Sequence, residues 1–418
     1  MSAFDNMWIW SEKSEGKRLH WYREVAENRM PAKFRIARTI PVNVKLDADS
    51  EETLWAELER QTEKFVEIRE TIRTGNKELD PPVKRSNLLD LCHELSKRML
   101  RHCNFCAWNC DVDRVQGNKL GTCKLASETR VSTFFHHQGE ELIYRGTSGS
   151  GTIFFTSCNM RCAFCQNGDI STDKDNGIKV TPRVLATMAW LLRMEGCHNI
   201  NWVGGDPIIH LHTIVAAISI LADDYVHPTK EDLRQVMPVK SDYLTRPILD
   251  GPAAHFEGTF NAPLLWNSNF YASTDAMKIL RLLVDVWLPD FKFGPGRCAI
   301  KLARTPRYGE VVTSNLDLIE AWKEDVTIRH LVMPNHIECC TYPVIDWIAD
   351  HMPDTEVNVM NQYHPDMFTN PNSPRYQSKF EAVSRQPNED EILSAYLYAQ
   401  RKGVAFERIT FETPPTSC

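Results

Sequence analysis

The sequence predicts an α/β fold: a partial (β/α)6 barrel of the TIM type, preceded by a helical extension that carries four cysteines. Apolar, β-branched segments alternate with helical patterns from residue 152 onward, and the alternation repeats six times. Strands that alternate with helices pair in parallel, and six such units curve into an incomplete barrel. The predicted strands cover residues 152–156, 199–203, 263–268, 284–291, 326–333 and 356–363.

The chain before the barrel supplies an arm and two helices. Residues 1–47 show no sustained period, which indicates an arm laid over the domain or a partly disordered segment. A capping box formed by Asp49 and Glu52 opens an amphipathic helix that ends at Gly75. A second apolar helical stripe, over residues 88–99, leads into a cluster of cysteines.

Helices and one insertion complete the predicted barrel. Thr181 followed by Pro182, and Ser273, are typical helix starts. Residues 223–262 interrupt the alternation, which indicates an insertion at the barrel's edge. The predicted helices cover 181–195, 211–222, 273–283, 313–323, 340–352 and about 388–403. The predicted domain limits are 1–87 for the arm and first helix, 88–150 for the four-cysteine region, 151–365 for the barrel, and 366–418 for the C-terminal helix and tail.

Composition and charge exclude several classes of function. A formal net charge of −7 argues against a nucleic-acid partner bound over the whole surface. The N-terminus has no signal pattern and the chain has no run of about 20 apolar residues, so we expect a cytoplasmic protein without a membrane partner. In a reducing compartment, thirteen cysteines are more consistent with metal ligands than with a disulfide framework.

Three cysteines follow the first predicted strand with the spacing CxxxCxxC: Cys158, Cys162 and Cys165. A strand followed by three thiolates in a loop is typical of a metal-cluster site. Four thiolates would complete a tetrahedral zinc site or a 4Fe-4S cluster, whereas three leave one metal position open for a small molecule. The motif therefore predicts a cluster with an open coordination position.

A separate group of four cysteines lies upstream. CxxC and CxxxC spacings join its first three members, and a turn at Gly121 carries the fourth. Paired ligands from tight loops are typical of a closed, structural metal site, and zinc, a single iron or a second iron-sulfur cluster all fit. The predicted ligands are Cys103, Cys106, Cys110 and Cys123.

Polar side chains stand at the carboxyl ends of the other predicted strands, where a barrel of this type carries its active site. Each one alone is equally consistent with an ordinary polar loop, but their coincidence at several strand ends indicates a site. The candidate residues are Gly204, Gly205, Asp206, Asn267, Ser268, Asn269, Asp290, Lys292, Arg329 and His364.

S-adenosylmethionine (SAM) suits an open cluster position because its amino and carboxylate groups can chelate one iron. Reductive cleavage then gives a 5′-deoxyadenosyl radical, which abstracts hydrogen. We expect the glycine pair to approach the methionine moiety and Asp206 to accept from its ammonium group. Lys292 and Arg329 are expected to supply positive charge, the polar end of the third strand to bind carboxylate and ribose, and Phe164 to pack on the adenine.

The segment from Gly151 to Asn167 resembles the signature of radical SAM proteins of the pyruvate formate-lyase activating enzyme-like group. The resemblance covers about residues 88–405, and the upstream cysteines are similar to the N-terminal region of its archaeal and bacterial branch. It implies that the three cysteines hold a 4Fe-4S cluster and that the candidate strand-end residues line a SAM pocket. The usual Gly-Gly-Glu is Gly-Gly-Asp here. The other similar motifs are Val203 to Pro207, Trp266 to Asn269, Leu288 to Lys292, Ile328 to Pro334 and Val359 to Pro365.

The resemblance implies a protein or peptide substrate. Activating enzymes take a hydrogen atom from the α-carbon of a peptide glycine, with an electron donor of the flavodoxin or ferredoxin type. A second hypothesis is cobalamin-dependent methylation of a protein residue, such as a glutamine of methyl-coenzyme M reductase. The sequence lacks the Asp-x-His-x-x-Gly cobalamin motif, but the arm and the insertion are long enough to enclose a large cofactor. A third is a non-catalytic zinc-binding interaction protein.

Other cysteines fall outside both groups. His336, Cys339 and Cys340 lie close together after the fifth strand, but at the start of an amphipathic helix they are interpreted as packing residues. Cys197 and Cys298 have no partner that the sequence identifies.

Overall fold

The predicted strands form a curved sheet with the expected α/β architecture. The computed structural model describes residues 19–76, 78–146, 148–223, 228–241 and 254–404. All six predicted strands are confirmed, and four further short or antiparallel strands join them. The strands are β1 (Thr129–His137), β2 (Ser150–Phe155), β3 (Ile178–Val180), β4 (Ile200–Gly204), β5 (His255–Phe256), β6 (Thr259–Phe260), β7 (Leu264–Ser268), β8 (Val286–Pro289), β9 (Thr327–Leu331) and β10 (Glu356–Met360).

Helices separate the strands as the alternation predicts. The predicted helix at 313–323 begins earlier, at Tyr308. The helices are α1 (His20–Ala26), α2 (Lys33–Thr39), α3 (Glu51–Arg73), α4 (Leu88–Arg98), α5 (Leu142–Arg145), α6 (Gly168–Ser171), α7 (Pro182–Met194), α8 (Leu211–Ala222), α9 (Lys230–Val236), α10 (Thr274–Arg281), α11 (Cys298–Ala303), α12 (Tyr308–Ala321), α13 (Tyr342–His351) and α14 (Glu389–Arg401). Short 3-10 turns lie at Pro207–His210, Met237–Val239 and Ser378–Val383, and a π-helical turn lies at Ile337–Thr341.

The sheet follows the chain in barrel order. β2, β4, β7 and β8 pair in parallel, and β9 pairs with β10 in the same way. Single parallel bridges, Trp287 with Val326 and Asp290 with Arg329, join β8 to β9. The six parallel strands therefore form a partial barrel whose carboxyl ends meet at one rim, while the antiparallel β1 and β3 extend its first edge.

Three tryptophans on neighbouring strands anchor the layer between the sheet and the helices. Trp202, Trp266 and Trp287 are aligned in register on β4, β7 and β8, and all are buried. Because side chains alternate along a strand, the adjacent Asn201 and Asn267 point to the opposite, inner face. The inner face is therefore polar near the rim, where the site lies.

Local capping agrees with the sequence at two helices and differs at one. The Thr181 hydroxyl accepts from an N–H in the first turn of α7, and Ser273 caps α10 in the same way. Helix α3 is capped by Ser50, whose Oγ accepts from the Thr53 N–H at 3.2 Å, so the predicted Asp49 capping box is wrong. Asp49 accepts instead from the Lys45 N–H, in the turn before the helix.

The N-terminal arm packs at the amino ends of the strands, on the side of the barrel away from the rim. Asp285, just before β8, accepts from the Trp21 indole N–H at 2.8 Å and from the Lys33 backbone N–H at 3.0 Å. The Lys33 ammonium forms a fully buried ion pair with Glu324, and Arg69 of α3 contacts the same carboxylate at 2.7 Å. The arm from residue 19 is thus part of the core, and residues 1–18 lie outside the described residues.

The described parts of the insertion also lie away from the rim. Asp232 of α9 forms an ion pair with Arg183 of α7 at 2.8 Å, and Lys240 pairs with Glu195 beyond the end of α7. The β5–β6 hairpin faces the arm, where the Phe260 carbonyl accepts from an Arg35 guanidinium N–H. The described residues of this segment therefore contact α7, β1 and the arm.

Candidate active site

A cavity of about 1110 Å³ opens at the carboxyl ends of the parallel strands. This is the rim at which a TIM-type barrel carries its active site, and the volume suits a nucleoside-sized ligand. All but one of the candidate residues line it. They are Cys158, Cys162, Phe164, Cys165, Gly204, Gly205, Asp206, Asn267, Ser268, Asn269, Asp290, Lys292 and Arg329.

The cluster loop, which we define as residues 157–167, begins at the end of β2. Its first residue, Ser157, has a positive φ of 65°, which turns the chain into the cavity. The Cys158 thiol is buried, and the Met160 N–H points at its Sγ from 3.3 Å. Burial raises the pKa of this thiol well above its usual range, so a cation must displace its proton.

Helix α11 holds the second part of the cluster loop. The Arg161 N–H donates to the Ala303 carbonyl at 3.0 Å, and the Ala163 N–H donates to the Leu302 carbonyl at 2.7 Å. Burial raises the pKa of Cys162, which lies between these anchors, to about 12, although the nearby Lys292 ammonium opposes this. The loop is therefore fixed from two sides, by β2 and by α11.

Glycine is needed at positions 204 and 205 because the backbone of Phe155 and Ser157 lies directly against them. Gly204 has φ +122°, and a Cβ on Gly205 would lie 1.5 Å from the Ser157 carbonyl oxygen. The Gly205 N–H donates to the Phe155 carbonyl at 2.8 Å, and the Asp206 N–H donates to the Ser157 carbonyl at 3.1 Å. The pair thus lets β4 lie directly against the start of the cluster loop, a constraint that the sequence does not indicate.

The Asp206 carboxylate is already engaged by the protein. It accepts from the Ser268 hydroxyl at 3.0 Å, the Asn269 N–H at 2.9 Å and the Ile208 N–H at 3.0 Å. Burial raises its pKa to about 6, while these hydrogen bonds oppose the shift. The structure thus corrects the expectation of a carboxylate free for an ammonium group, because Asp206 joins the end of β4 to the end of β7.

Arg329 is held by two acidic residues that are not among those predicted from the sequence. Its guanidinium forms ion pairs with Glu140 and Glu141, which follow β1, and donates to the Asn267 carboxamide oxygen at 3.2 Å. Asn358 of β10 donates to Glu141 at 2.8 Å. Arg329 is therefore not the free positive charge that the sequence predicts. The sequence signal for these partners is the adjacent pair Glu140 and Glu141, which follows the alternating apolar run of β1.

Lys292 and Asp290 form a second charged pair in the cavity wall. Their Nζ and Oδ2 atoms lie 2.7 Å apart, and both side chains remain partly exposed. Burial alone would lower the pKa of Lys292, but Asp290 and the Cys162 thiol outweigh it and raise that pKa. The ammonium group is therefore charged when it faces a ligand in the cavity.

Of the two remaining candidates, Phe164 borders the cavity and His364 does not. Phe164 borders the cavity, but its ring is buried and packs on Tyr363 and Phe293, with centroids 5.6 and 6.1 Å away. His364 is exposed and is not among the residues that line this cavity. Gln362, two residues earlier, lines it.

Two orphaned polar atoms show that the cavity suits a polar ligand. The Asn358 carboxamide oxygen and the Gln138 carboxamide nitrogen are buried without a hydrogen-bond partner among the described residues, and both residues line the cavity. A buried unpaired acceptor and donor are costly unless a ligand or water satisfies them. Together with three thiols in one wall, they fit a cluster and a ligand rich in hydroxyl and amino groups.

A model of the radical SAM superfamily matches residues 152–339, which include the cluster loop and five of the six parallel strands. The chain belongs to the radical SAM superfamily. Members of this superfamily are enzymes, and the domain implies a 4Fe-4S cluster and SAM. The three cavity cysteines and the orphaned polar atoms fit these two groups.

Relatives of this radical SAM protein were found in sequence and in structure. Uncharacterized protein MJ0674 of Methanocaldococcus jannaschii is 33% identical over 388 residues, which are 91% of this chain and 96% of that protein. Streptococcus suis SuiB bound to precursor peptide SuiA aligns with a TM-score of 0.37 and 9% identity, over 82% of this chain and 61% of that one. A structural likeness at this level transfers neither site nor substrate.

The four-cysteine region lies directly against the cluster loop of the radical SAM domain. The Trp108 indole N–H donates to the Asn159 carbonyl at 2.7 Å, and the Ser157 hydroxyl donates to the Cys123 carbonyl at 2.5 Å. A Cβ on Gly121 would lie 2.8 Å from Cys110 Sγ, so the turn before Cys123 passes close to that thiol. The region therefore contacts the cluster loop through Trp108 and Cys123.

One buried cation lies beside the thiols of the four-cysteine region. The buried Arg114 guanidinium lies 4.0 Å from Cys103 Sγ and donates to the Ile209 carbonyl at 2.9 Å. Burial raises the pKa of Cys103, and Arg114 opposes that rise. A buried cation beside a thiol group offsets the negative charge that bound thiolates carry.

No helix among the described residues is both long enough and apolar enough to span a membrane.

Proposed function

We propose that this radical SAM protein cleaves SAM at a 4Fe-4S cluster held by Cys158, Cys162 and Cys165, and that it abstracts hydrogen from a peptide α-carbon. When bound, the cluster supplies the electron that breaks the carbon-sulfur bond of SAM and yields the 5′-deoxyadenosyl radical. The observation that carries the proposal is the cavity lining, which contains three cysteines and no fourth among the described residues. Three thiolates leave one iron available to SAM.

The Asp290–Lys292 pair is the best candidate for the methionine end of SAM. A zwitterionic amino acid carries a carboxylate and an ammonium group on one carbon, and this pair presents the complementary charges 2.7 Å apart in the cavity wall. Asp206 and Arg329, which the sequence favours for these roles, already bind protein partners. We therefore assign ammonium binding to Asp290 and carboxylate binding to Lys292.

Asn358 suits the nucleoside end of the ligand. Its buried carboxamide oxygen accepts hydrogen bonds, and a ribose hydroxyl group can donate to it. Phe164, in the cluster loop, supplies an apolar edge at the rim, although most of its ring packs on the protein. These residues orient the ligand and exclude water from the reacting bond.

A protein or peptide glycine remains the proposed hydrogen source, in the manner of the pyruvate formate-lyase activating enzyme-like group. The motif resemblance supports this assignment. We propose an external flavodoxin- or ferredoxin-type protein as the electron donor. A metal at Cys103, Cys106, Cys110 and Cys123 would have a structural role beside the cluster loop.

Cobalamin-dependent methylation would need the arm and the insertion to enclose a second large cofactor beside SAM. The described arm contacts the amino ends of the strands through Asp285 and Glu324, and residues 228–241 lie against α7 and β1. None of the described residues of these two segments lines the cavity, so we place methylation second to radical formation on a peptide glycine.

The proposal is tested by following hydrogen into 5′-deoxyadenosine. Anaerobically isolated enzyme, dithionite and SAM are incubated with extract proteins labelled with 2,2-dideuterated glycine. We expect 5′-deoxyadenosine from the wild type and from a control variant, Cys197→Ala, and none from Cys158→Ala. Deuterium in the product supports a glycine α-carbon. Product without deuterium refutes that hydrogen source, and absence of product from the wild type refutes SAM cleavage.

A further inference from the structure

A third cysteine group lies outside the cavity and outside the four-cysteine region. Cys298 begins α11, whereas His336 and Cys339 lie at the π-helical turn after β9. The Sγ atoms of Cys298 and Cys339 are 3.6 Å apart, and the ligand atoms of all three residues lie within 4.8 Å of one another. The sequence assigned Cys298 no partner and interpreted Cys339 as packing, but Cys339 is exposed.

The thiol separations match a tetrahedral metal site. Zinc bound to sulfur at about 2.3 Å places two thiolates about 3.8 Å apart. The separation from Cys298 to Cys339 is 3.6 Å, and that from Cys339 to Cys340 is 3.9 Å. A disulfide holds its sulfur atoms about 2.0 Å apart, so these two thiols are not bonded in this structure.

Hydrogen bonding prepares His336 as a ligand. Its Nδ1 lies 2.8 Å from the Pro334 carbonyl oxygen, which can only accept, so Nδ1 carries the hydrogen. The neutral ring then presents a lone pair at Nε2. Fixing one imidazole nitrogen on a carbonyl is the usual way in which a protein orients a metal-bound histidine.

The backbone beside His336 and Cys339 has an unusual conformation. Asn335 has a φ of 60°, and both Cys340 and Thr341 donate their N–H groups to the His336 carbonyl, which opens the helix into a π turn. Gly294 passes so close that a Cβ there would lie 2.2 Å from the Cys339 carbonyl oxygen. π turns frequently mark functional sites, and this one directs Cys339 toward α11.

We propose that Cys298, His336 and Cys339 bind one zinc ion, with Cys340 as the nearest further ligand. Two thiolates and an imidazole are the donor set that zinc prefers in proteins. The opposite end of α11 holds the cluster loop through the Leu302 and Ala303 carbonyls. The ion therefore ties the first turn of that helix to the barrel wall and steadies the cluster loop from outside the cavity.

Zinc content of the anaerobically isolated holoenzyme tests the site. After equilibration with a zinc buffer, plasma mass spectrometry should find one more zinc per chain in the wild type than in Cys298→Ser or Cys339→Ser. The matched control Cys197→Ser removes a buried thiol elsewhere and should keep the wild-type zinc content. Equal zinc in the wild type and both ligand variants overturns the proposal.

A second measurement uses only the wild type, because a ligand variant can fail to fold. Alkylation followed by peptide mapping should find Cys298 and Cys339 protected in zinc-loaded protein and modified after a zinc chelator is added. Modification that is equally fast before and after chelation overturns the proposal. So does an intact mass lighter by two hydrogens with both residues in one cross-linked peptide, which would show a disulfide.

Discussion

Gly205→Ala should displace the cluster loop, and the structure gives the size of the disturbance. The added Cβ would lie 1.5 Å from the Ser157 carbonyl oxygen, whereas ordinary contacts begin at 3.4 Å. The two backbones must therefore separate by roughly 2 Å, which breaks the hydrogen bonds from Gly205 to Phe155 and from Asp206 to Ser157. Two lost buried hydrogen bonds and the overpacking together amount to about 4 kcal/mol.

The assay compares Gly205→Ala with Gly296→Ala, a glycine whose added Cβ would meet nothing within 4 Å. Both variants are reconstituted anaerobically, and the iron content, the thermal midpoint and the 5′-deoxyadenosine yield are measured. Gly205→Ala should lose most of its cluster iron and its SAM cleavage and should melt earlier, while Gly296→Ala should match the wild type. A Gly205→Ala protein with full iron and full SAM cleavage would refute the backbone-contact argument.

Two further predictions concern the arm at the amino ends of the strands. Lys33→Met leaves the buried Glu324 carboxylate with Arg69 as its remaining charged partner and should lower the free energy of unfolding in urea by about 2–3 kcal/mol. Lys278→Met, at an exposed ion pair, should change it by less than about 1 kcal/mol, and equal effects would contradict the prediction. Asp325, which precedes β9, accepts from the Tyr22 N–H of the arm at 2.8 Å. Burial raises the pKa of its carboxyl group to about 7, so the stability that it contributes is present at low pH and is lost as the pH rises through 7. Between pH 5 and 7, Asp325→Asn should flatten the fall of stability by up to about 1.4 kcal/mol per pH unit, and an unchanged slope would contradict it.

The sequence predicts the parallel core of this fold well because its strands are short apolar runs separated by capped helices. It misses β1, although Phe134 and Phe135 lie in an alternating run, because the cysteine motif marks the next strand, β2, as the start of the parallel sheet. It misses β3 because three residues are too few to show a period. An antiparallel edge depends on a pairing between distant residues, which local patterning does not contain.

For the site, the sequence identifies which residues meet but not which partners they choose. Asp206 and Arg329 both reach the cavity, as their strand ends predict, yet each is bound by protein groups. The partners of Arg329, Glu140 and Glu141, follow the edge strand that was missed. Cys298 shows the same limit, because its thiol partner is 41 residues away and only the folded chain brings them together.

The most direct test of the central claim is magnetic resonance of the reduced cluster with labelled SAM. Electron-nuclear double resonance on wild-type enzyme should show coupling from a ¹⁵N-labelled amino group and a ¹⁷O-labelled carboxylate of SAM, because three thiolates leave one iron open. Lys292→Met should weaken SAM binding while keeping the cluster iron. A wild-type cluster that shows no coupling to either label would contradict the three-cysteine site as the place where SAM binds.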